Sequence, residues 1–144
     1  MAQNTQAVFI KKGNLTANGG TTMVAGMVTA TADFTGVSAN HVLAFTADAT
    51  NGSYIKRIKF KATGTNTASV ARIYLNNGSA NTTATNNQFI GEISLPATTL
   101  INTAATTEIE FPMEMMIPPG FRIYIGLGTT VAASWIPTCV GGDY

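Results

Sequence analysis

One stretch of strict alternation constrains the fold of this chain more than any other feature. Between residues 57 and 62, apolar side chains alternate with cationic ones. The apolar set is Ile58, Phe60 and Ala62, and the cationic set is Arg57, Lys59 and Lys61. Alternation with a period of two places the two sets on opposite faces of a β-strand. The segment is therefore predicted to be a half-buried strand with a cationic outer face.

Further strands are predicted wherever this alternation recurs between turn residues. The segments are 42–47, 54–62, 70–75, 89–95, 108–111 and 121–127, with weaker candidates at 8–10 and 21–31 and a final edge strand at 133–140, interrupted by Pro137. Asn51-Gly52 favours a tight turn, so segments 42–47 and 54–62 are expected to pair as an antiparallel hairpin. In this pattern Phe89 faces the core, whereas Tyr74 and Ile90 face outward.

About eight short strands separated by Gly, Pro and Asn turns predict an all-β, two-sheet antiparallel sandwich, with the jelly roll as the expected topology. An immunoglobulin-like sandwich is the main alternative, but its Cys, Trp, Cys pattern is absent. A chain of 144 residues is the size of one domain, and residues 21–144 are assigned to it. The residues expected to face inward are Ile58, Phe60, Ile73, Leu75, Ile93, Leu95, Ile109, Phe111, Phe121, Ile123 and Ile125.

Residues 1–20 are predicted to form a short N-terminal arm. Three consecutive bulky apolar residues cannot all face one core from a single strand, because successive side chains alternate sides. The candidate partner-binding residues are therefore Val8, Phe9, Ile10, Lys11 and Lys12. The two lysines suit an acidic groove, since their stems can pack while their charges stay near water. The alternative is that this segment is an edge strand of its own sheet.

The charge of the chain bears on its partners. Only 10% of the residues are charged, against about 25% in an ordinary domain, and a surface of hydroxyls and amides suits a permanent assembly. A net charge of +1 gives no field that would attract nucleic acid. There is no 18-residue apolar stretch for a membrane span and no signal-like start, so synthesis in the cytoplasm of the producing cell is expected.

No catalytic or metal-binding arrangement is recognisable, so neither an enzyme nor a cofactor is predicted. The one histidine, His41, is interpreted as a surface or turn residue. Cys139 is interpreted as a small apolar side chain. Asp33, Asp48 and Asp143 could meet at loop ends, but separate turn positions are the simpler interpretation.

Two further features of the sequence each have more than one interpretation. Glu108 and Glu110 share one strand face, where they either face solvent, pair with the cationic row of residues 57–61, or form a carboxylate pair for glycoside hydrolysis. Trp135 is either a core or interface anchor, which is the favoured interpretation, or a platform for a sugar.

Three segments of the chain resemble small virion proteins of tailed bacteriophages. They read IKFKATGTNTA at 58–68, IPPGFRI at 117–123 and GGDY at 141–144. The resemblance implies a jelly roll without catalytic residues. It also implies a homotrimer that binds the major capsid protein on the outside of the head and cements neighbouring capsid subunits. It implies location at the capsid surface of the virion after synthesis in the host cytoplasm. The alternative is a carbohydrate- or receptor-binding module of a phage tail or fibre.

Overall fold

Eight β-strands form the regular structure of a computed structural model that describes residues 10–15, 23–31 and 33–144. The strands are β1 (Lys12–Asn14), β2 (Val42–Thr46), β3 (Ser53–Ala62), β4 (Ser69–Asn76), β5 (Asn87–Leu95), β6 (Ile109–Ile117), β7 (Arg122–Leu127) and β8 (Trp135–Asp143). A single 3-10 turn, Ala84–Asn86, precedes β5. The fold is therefore all-β.

The strands form two four-stranded antiparallel sheets. The first sheet has the order β1-β8-β3-β6 and the second has the order β2-β7-β4-β5. Strands that follow one another in the chain lie in opposite sheets, except β4 and β5, which are neighbours in the second sheet, as in two interlocked Greek keys. This is the strand order of an eight-stranded jelly roll, so the expected sandwich is confirmed.

The core lies between the sheets and contains the residues that alternation predicted. Those fully buried are Ile58, Phe60, Ile73, Leu95, Ile123 and Ile125. Those half-buried against them are Leu75, Ile93, Ile109, Phe111 and Phe121. Trp135 of β8 and Phe45 of β2 complete the core and are also fully buried.

The expected hairpin of segments 42–47 and 54–62 is wrong. Strand β2 pairs with β7 in the second sheet, whereas β3 lies between β6 and β8 in the first. The turn at Asn51-Gly52 does form, with Gly52 at a φ of 76°, but it carries the chain from one sheet to the other. Alternation cannot distinguish these cases, because both sheets bury alternate residues in the same core.

Strand β8 is central and not the expected edge strand, since it pairs with β1 on one side and β3 on the other. Pro137 is tolerated within it for a local reason. β1 pairs only with Gly141 to Asp143, and Met27 bridges only Trp135. No described residue therefore pairs with Pro137 on that side, where its missing N–H costs no ladder hydrogen bond.

The outer face of the second sheet is covered by residues 33–41. Tyr74, expected to face solvent, is fully buried under this segment, and its hydroxyl donates a 2.5 Å hydrogen bond to the carbonyl oxygen of Asp33. The assignment of Phe89 and Ile90 is also reversed. Ile90 is the extra residue of a β-bulge and packs against the core, whereas Phe89 remains partly exposed on the other face.

The edge strand β6 is irregular at its centre. Ile55 pairs with Met115 and Arg57 with Pro112, so two residues of β6 oppose one residue of β3. Within this bulge Glu114 has a φ of 45°, a conformation that is uncommon outside glycine. Pro112 and the bulge both interrupt the outward-facing hydrogen-bonding groups of this edge.

Candidate interaction surfaces

The described part of the N-terminal segment lies on its own sheet. Lys12–Asn14 pairs with Gly141 to Asp143, and the Lys11 N–H donates a 2.8 Å hydrogen bond to the carbonyl oxygen of Asp143. The side chain of Ile10 packs over Gly142, where an added Cβ would lie 2.3 Å from Ile10 Cγ2. Residues 12–14 thus form the edge strand that was the alternative to an arm. Val8 and Phe9 lie outside the described residues.

Ile10, Lys11 and Lys12 are available for contact with another molecule. All three are exposed at the edge of the first sheet, and Ile10 retains 49% of its accessible surface. The Lys12 Nζ atom lies 3.5 Å from Asp143 Oδ2, so this lysine already has an ion-pair partner. An apolar side chain and two lysine stems therefore lie together on one exposed strand.

A buried carboxylate anchors this edge strand. Asp143 Oδ1 accepts hydrogen bonds from Asn14 Nδ2 at 2.9 Å and from Ser53 Oγ at 2.5 Å. The Asp48 N–H donates to the same Ser53 hydroxyl at 2.9 Å. Asp48 and Asp143 are thus linked through Ser53, whereas Asp33 lies over the other sheet. Since the buried Asp143 is met by polar donors and a lysine, its burial is compatible with a stable fold.

An apolar cleft, here called the end cleft, opens where β6 ends, next to the residue that follows β8. It encloses about 500 Å³ and is lined by Asn51, Met116, Ile117, Pro118, Pro119 and Tyr144. None of these side chains is charged, and Met116 is 71% exposed. Tyr54 pairs with Gly142 on one side and Met116 on the other, which places the cleft at the end of the sandwich where Ile10 lies.

The proline wall of the end cleft is held by backbone hydrogen bonds. Phe121 N–H donates to the Pro118 carbonyl at 3.1 Å, and Gly120, with a φ of 74°, donates to the Asp48 carbonyl at 3.1 Å. The sequence pattern gives no sign of the cleft, because its lining comes from three segments that are distant along the chain.

Glu108, just before β6, and Glu110, within it, pair with cations of β3. Lys59 Nζ lies 2.7 Å from a Glu108 oxygen, and Arg57 Nε lies 3.3 Å from a Glu110 oxygen. Pairing with the cationic row is shown within one sheet, and the expected exposure of both glutamates to solvent is shown as well. Both glutamates remain partly exposed, so solvent screening leaves these pairs worth little, roughly 0–1 kcal/mol each.

His41 is buried, contrary to its interpretation as a surface residue. It lies at the start of β2, where its Nδ1 atom is 3.1 Å from the Gly36 carbonyl oxygen while Nε2 has no hydrogen-bond partner. Burial lowers the pKa of His41 below its usual value, and the bond to Gly36 only partly opposes this effect. The ring packs over Gly126, where an added Cβ would lie 2.4 Å from it. The geometry gives His41 a packing role.

Trp135 and Cys139 both belong to the core. Trp135 is fully buried and so acts as a core anchor, with no ring face open to a sugar. Cys139 is likewise fully buried, and burial raises the pKa of its thiol to about 12. The thiol is therefore protonated at neutral pH and behaves as the predicted small apolar side chain.

Among the described residues, no group of three or more His, Cys, Asp or Glu side chains is placed to hold a metal ion. In the same part of the chain, no helix has the length and apolar character needed to cross a membrane. Comparison with protein-family models, curated proteins and solved structures finds no match. The exposed β1 edge and the end cleft are therefore the strongest candidate sites.

Proposed function

We propose that this chain is a structural virion protein that binds the outside of a bacteriophage capsid as a homotrimeric decoration or cement protein and stabilises the head. The observation that supports this most is the apolar end of the sandwich. Ile10 and Met116 are exposed there, around an uncharged cleft, in a chain with few charges. Exposed apolar surface of this kind is typical of protein contacts.

Two of the segments that carry the family resemblance lie at this same end of the molecule. Residues 117–123 supply three of the cleft-lining side chains, Ile117, Pro118 and Pro119. Residues 141–144 supply Gly142, which makes room for Ile10, and Asp143, which anchors β1. Two of the three resembling segments thus meet beside the candidate partner-binding residues, as a shared contact surface would require.

The proposed action is mechanical and involves no reaction. A trimer that binds two or more subunits of the major capsid protein at once holds them together, because separating the subunits would also break its own contacts. Binding to the assembled head alone stabilises the head by mass action. A surface of amides and hydroxyls loses little solvation when it is covered, which suits permanent attachment.

Binding to undecorated heads of the phage that encodes the chain tests this function. We expect the wild-type protein to co-sediment with heads and to raise the temperature at which they break. Met116→Asp should weaken binding, because it places a charge at the apolar end of the sandwich and disfavours the apolar contacts on which assembly depends. Ile101→Asp is the matched control, since Ile101 is 56% exposed but lies beyond the opposite end of β6. Absence of binding, or location of the protein on tails, would contradict the proposal.

The alternative is a carbohydrate- or receptor-binding module. Trp135, which was the less favoured candidate for a sugar platform, is buried in the core, and this weakens that interpretation. Binding to a panel of bacterial surface glycans, in the absence of binding to heads, would support it over the capsid role.

A further inference from the structure

We propose that the end cleft of one copy binds Val8 and Phe9 of a second copy, so that each copy donates one N-terminal segment and receives another. The proposal rests on the self-association part of the proposed function and gives it a site. It does not depend on what the assembled protein binds.

The chemistry of the end cleft selects an apolar occupant. Among the described residues that line it, no side chain is charged, and Asn51 carries the only side-chain amide. Met116 is flexible and can adapt to an inserted ring, while Pro118 and Pro119 give a rigid apolar wall. An aromatic side chain buried in such a pocket is the usual anchor of a protein interface. The adjacent Lys11 and Lys12 would stay outside, near water.

The chain itself contains a segment that fits this description. Val8 and Phe9 are the only bulky apolar side chains, apart from Met1, in residues 1–9, 16–22 and 32, the part of the chain outside the described ranges. They directly precede Ile10, which packs over Gly142. The chain therefore enters β1 at the same end of the sandwich as the end cleft.

The direction of β1 favours insertion of Val8 and Phe9 into the cleft of a second copy over insertion into the cleft of their own chain. Insertion into its own cleft would require the chain to turn across the ends of β8 and β3 just before Ile10. Residues 7–11 contain no Gly, Pro, Asn or Asp to make that turn. Val8, Phe9 and Ile10 are residue types that favour an extended backbone, and an extended chain would continue in the direction of β1, away from its own sandwich. Phe9 and Val8 are one and two residues before Ile10, so an extended chain carries them up to about 7 Å beyond it, and the cleft that receives them must belong to a copy that contacts this edge.

The donating and receiving surfaces are different parts of the molecule. The donor is the segment before β1, and the acceptor is formed by the β2–β3 turn, the β6–β7 turn and the end of β8. Such head-to-tail contacts close into a ring when the rotation between copies allows it. The proposal therefore accounts for a trimer in which every cleft is filled.

Disulfide trapping between differently tagged full-length chains tests the exchange. One chain carries Phe9→Cys and the other Met116→Cys, and the two are mixed, allowed to exchange and oxidised. We expect a disulfide between the two chains. A chain with Ile101→Cys, similarly exposed at the other end, should not trap Phe9→Cys. Equal trapping by both, or no trapping, would overturn the proposal. In a chain carrying both Phe9→Cys and Met116→Cys, a disulfide within that chain would show self-insertion and would also overturn it.

Sedimentation without heads gives an independent measurement. Phe9→Ala should raise the dissociation constant for self-association at least about tenfold, as expected for truncation of an interface anchor. Gln6→Ala, in the polar part of the same segment, should leave it unchanged. A Phe9→Ala protein that associates like the wild type would overturn the proposal. Because heads are absent, failure here is distinct from failure to bind a capsid.

Discussion

The imidazole ring of His41 stacks on the phenol ring of Tyr74, with centroids 4.8 Å apart and an angle of 16° between the planes. His41 belongs to the segment that covers the second sheet, and Tyr74 lies in β4 beneath it. The contact joins two parts of the chain that are more than thirty residues apart. It explains why an outward-facing tyrosine is buried, and it places a titratable ring inside a packed layer.

Acidification is expected to destabilise the protein through His41. Its pKa is lowered in the folded state by burial, so below about pH 6.5 the unfolded chain binds a proton more readily than the folded chain. The free energy of unfolding should therefore fall between pH 7 and pH 5. Urea titrations of the wild type and His41→Gln measure this difference. An equal pH dependence in both proteins would show that His41 does not titrate in this range.

Gly126→Ala should displace the segment of residues 33–41. The added Cβ would lie 2.4 Å from His41 Cδ2, and overpacking of this kind typically costs about 1–3 kcal/mol. Gly13→Ala is the control, since nothing lies within 4 Å of its added Cβ. Denaturant unfolding gives the free energies, and amide exchange shows where the structure opens. Unchanged protection of residues 33–41 in Gly126→Ala would contradict this account.

Phe60→Ala should lower the free energy of unfolding by about 3–5 kcal/mol, the usual cost of removing a buried phenyl ring. Phe60 is fully buried in β3. Phe34→Ala removes the same ring from a site that is 59% exposed, where we expect a loss below about 1 kcal/mol. Chemical denaturation followed by the fluorescence of Trp135 measures both. Similar losses for the two variants would mean that burial is not the cause.

Asp143→Asn should loosen the β1 edge. The substitution removes the charge that meets Lys12 and weakens the hydrogen bonds from Asn14 and Ser53, so a loss of about 1–3 kcal/mol is expected. Glu110→Gln, at a partly exposed ion pair, should cost less than about 1 kcal/mol. Amide exchange should accelerate in residues 12–14 of Asp143→Asn first. Faster exchange throughout the core, with residues 12–14 unaffected, would be the contrary result.

Much of the core could be predicted from local alternation, because each strand buries every second residue whichever sheet it joins. Ile73, Ile123 and Ile125 were assigned to the core in this way. Sheet membership could not be predicted, since β2 and β3 follow the same rule in different sheets. The burial of Tyr74 depends on a distant covering segment, which the alternation of β4 cannot reveal.

The candidate surfaces could be predicted from the sequence less well than the core. Ile10, Lys11 and Lys12 could be selected from their order along the chain, although their strand pairing could not. The end cleft depends on the jelly-roll connections, which bring Asn51, Met116 and Tyr144 together. Sequence signals for such a cleft are weak, because each contributing residue is ordinary in its own segment.

The irregular edge of β6 has a consequence for how the protein behaves when it is abundant. A chain with few charges has little electrostatic repulsion to keep its copies apart. An uninterrupted edge strand would then add strands from other molecules without limit and produce fibrous aggregates. Pro112 and the left-handed backbone of Glu114 interrupt the row of hydrogen-bonding groups that an added strand would need. This edge of the first sheet therefore favours side-chain contacts of limited size over open-ended addition of strands.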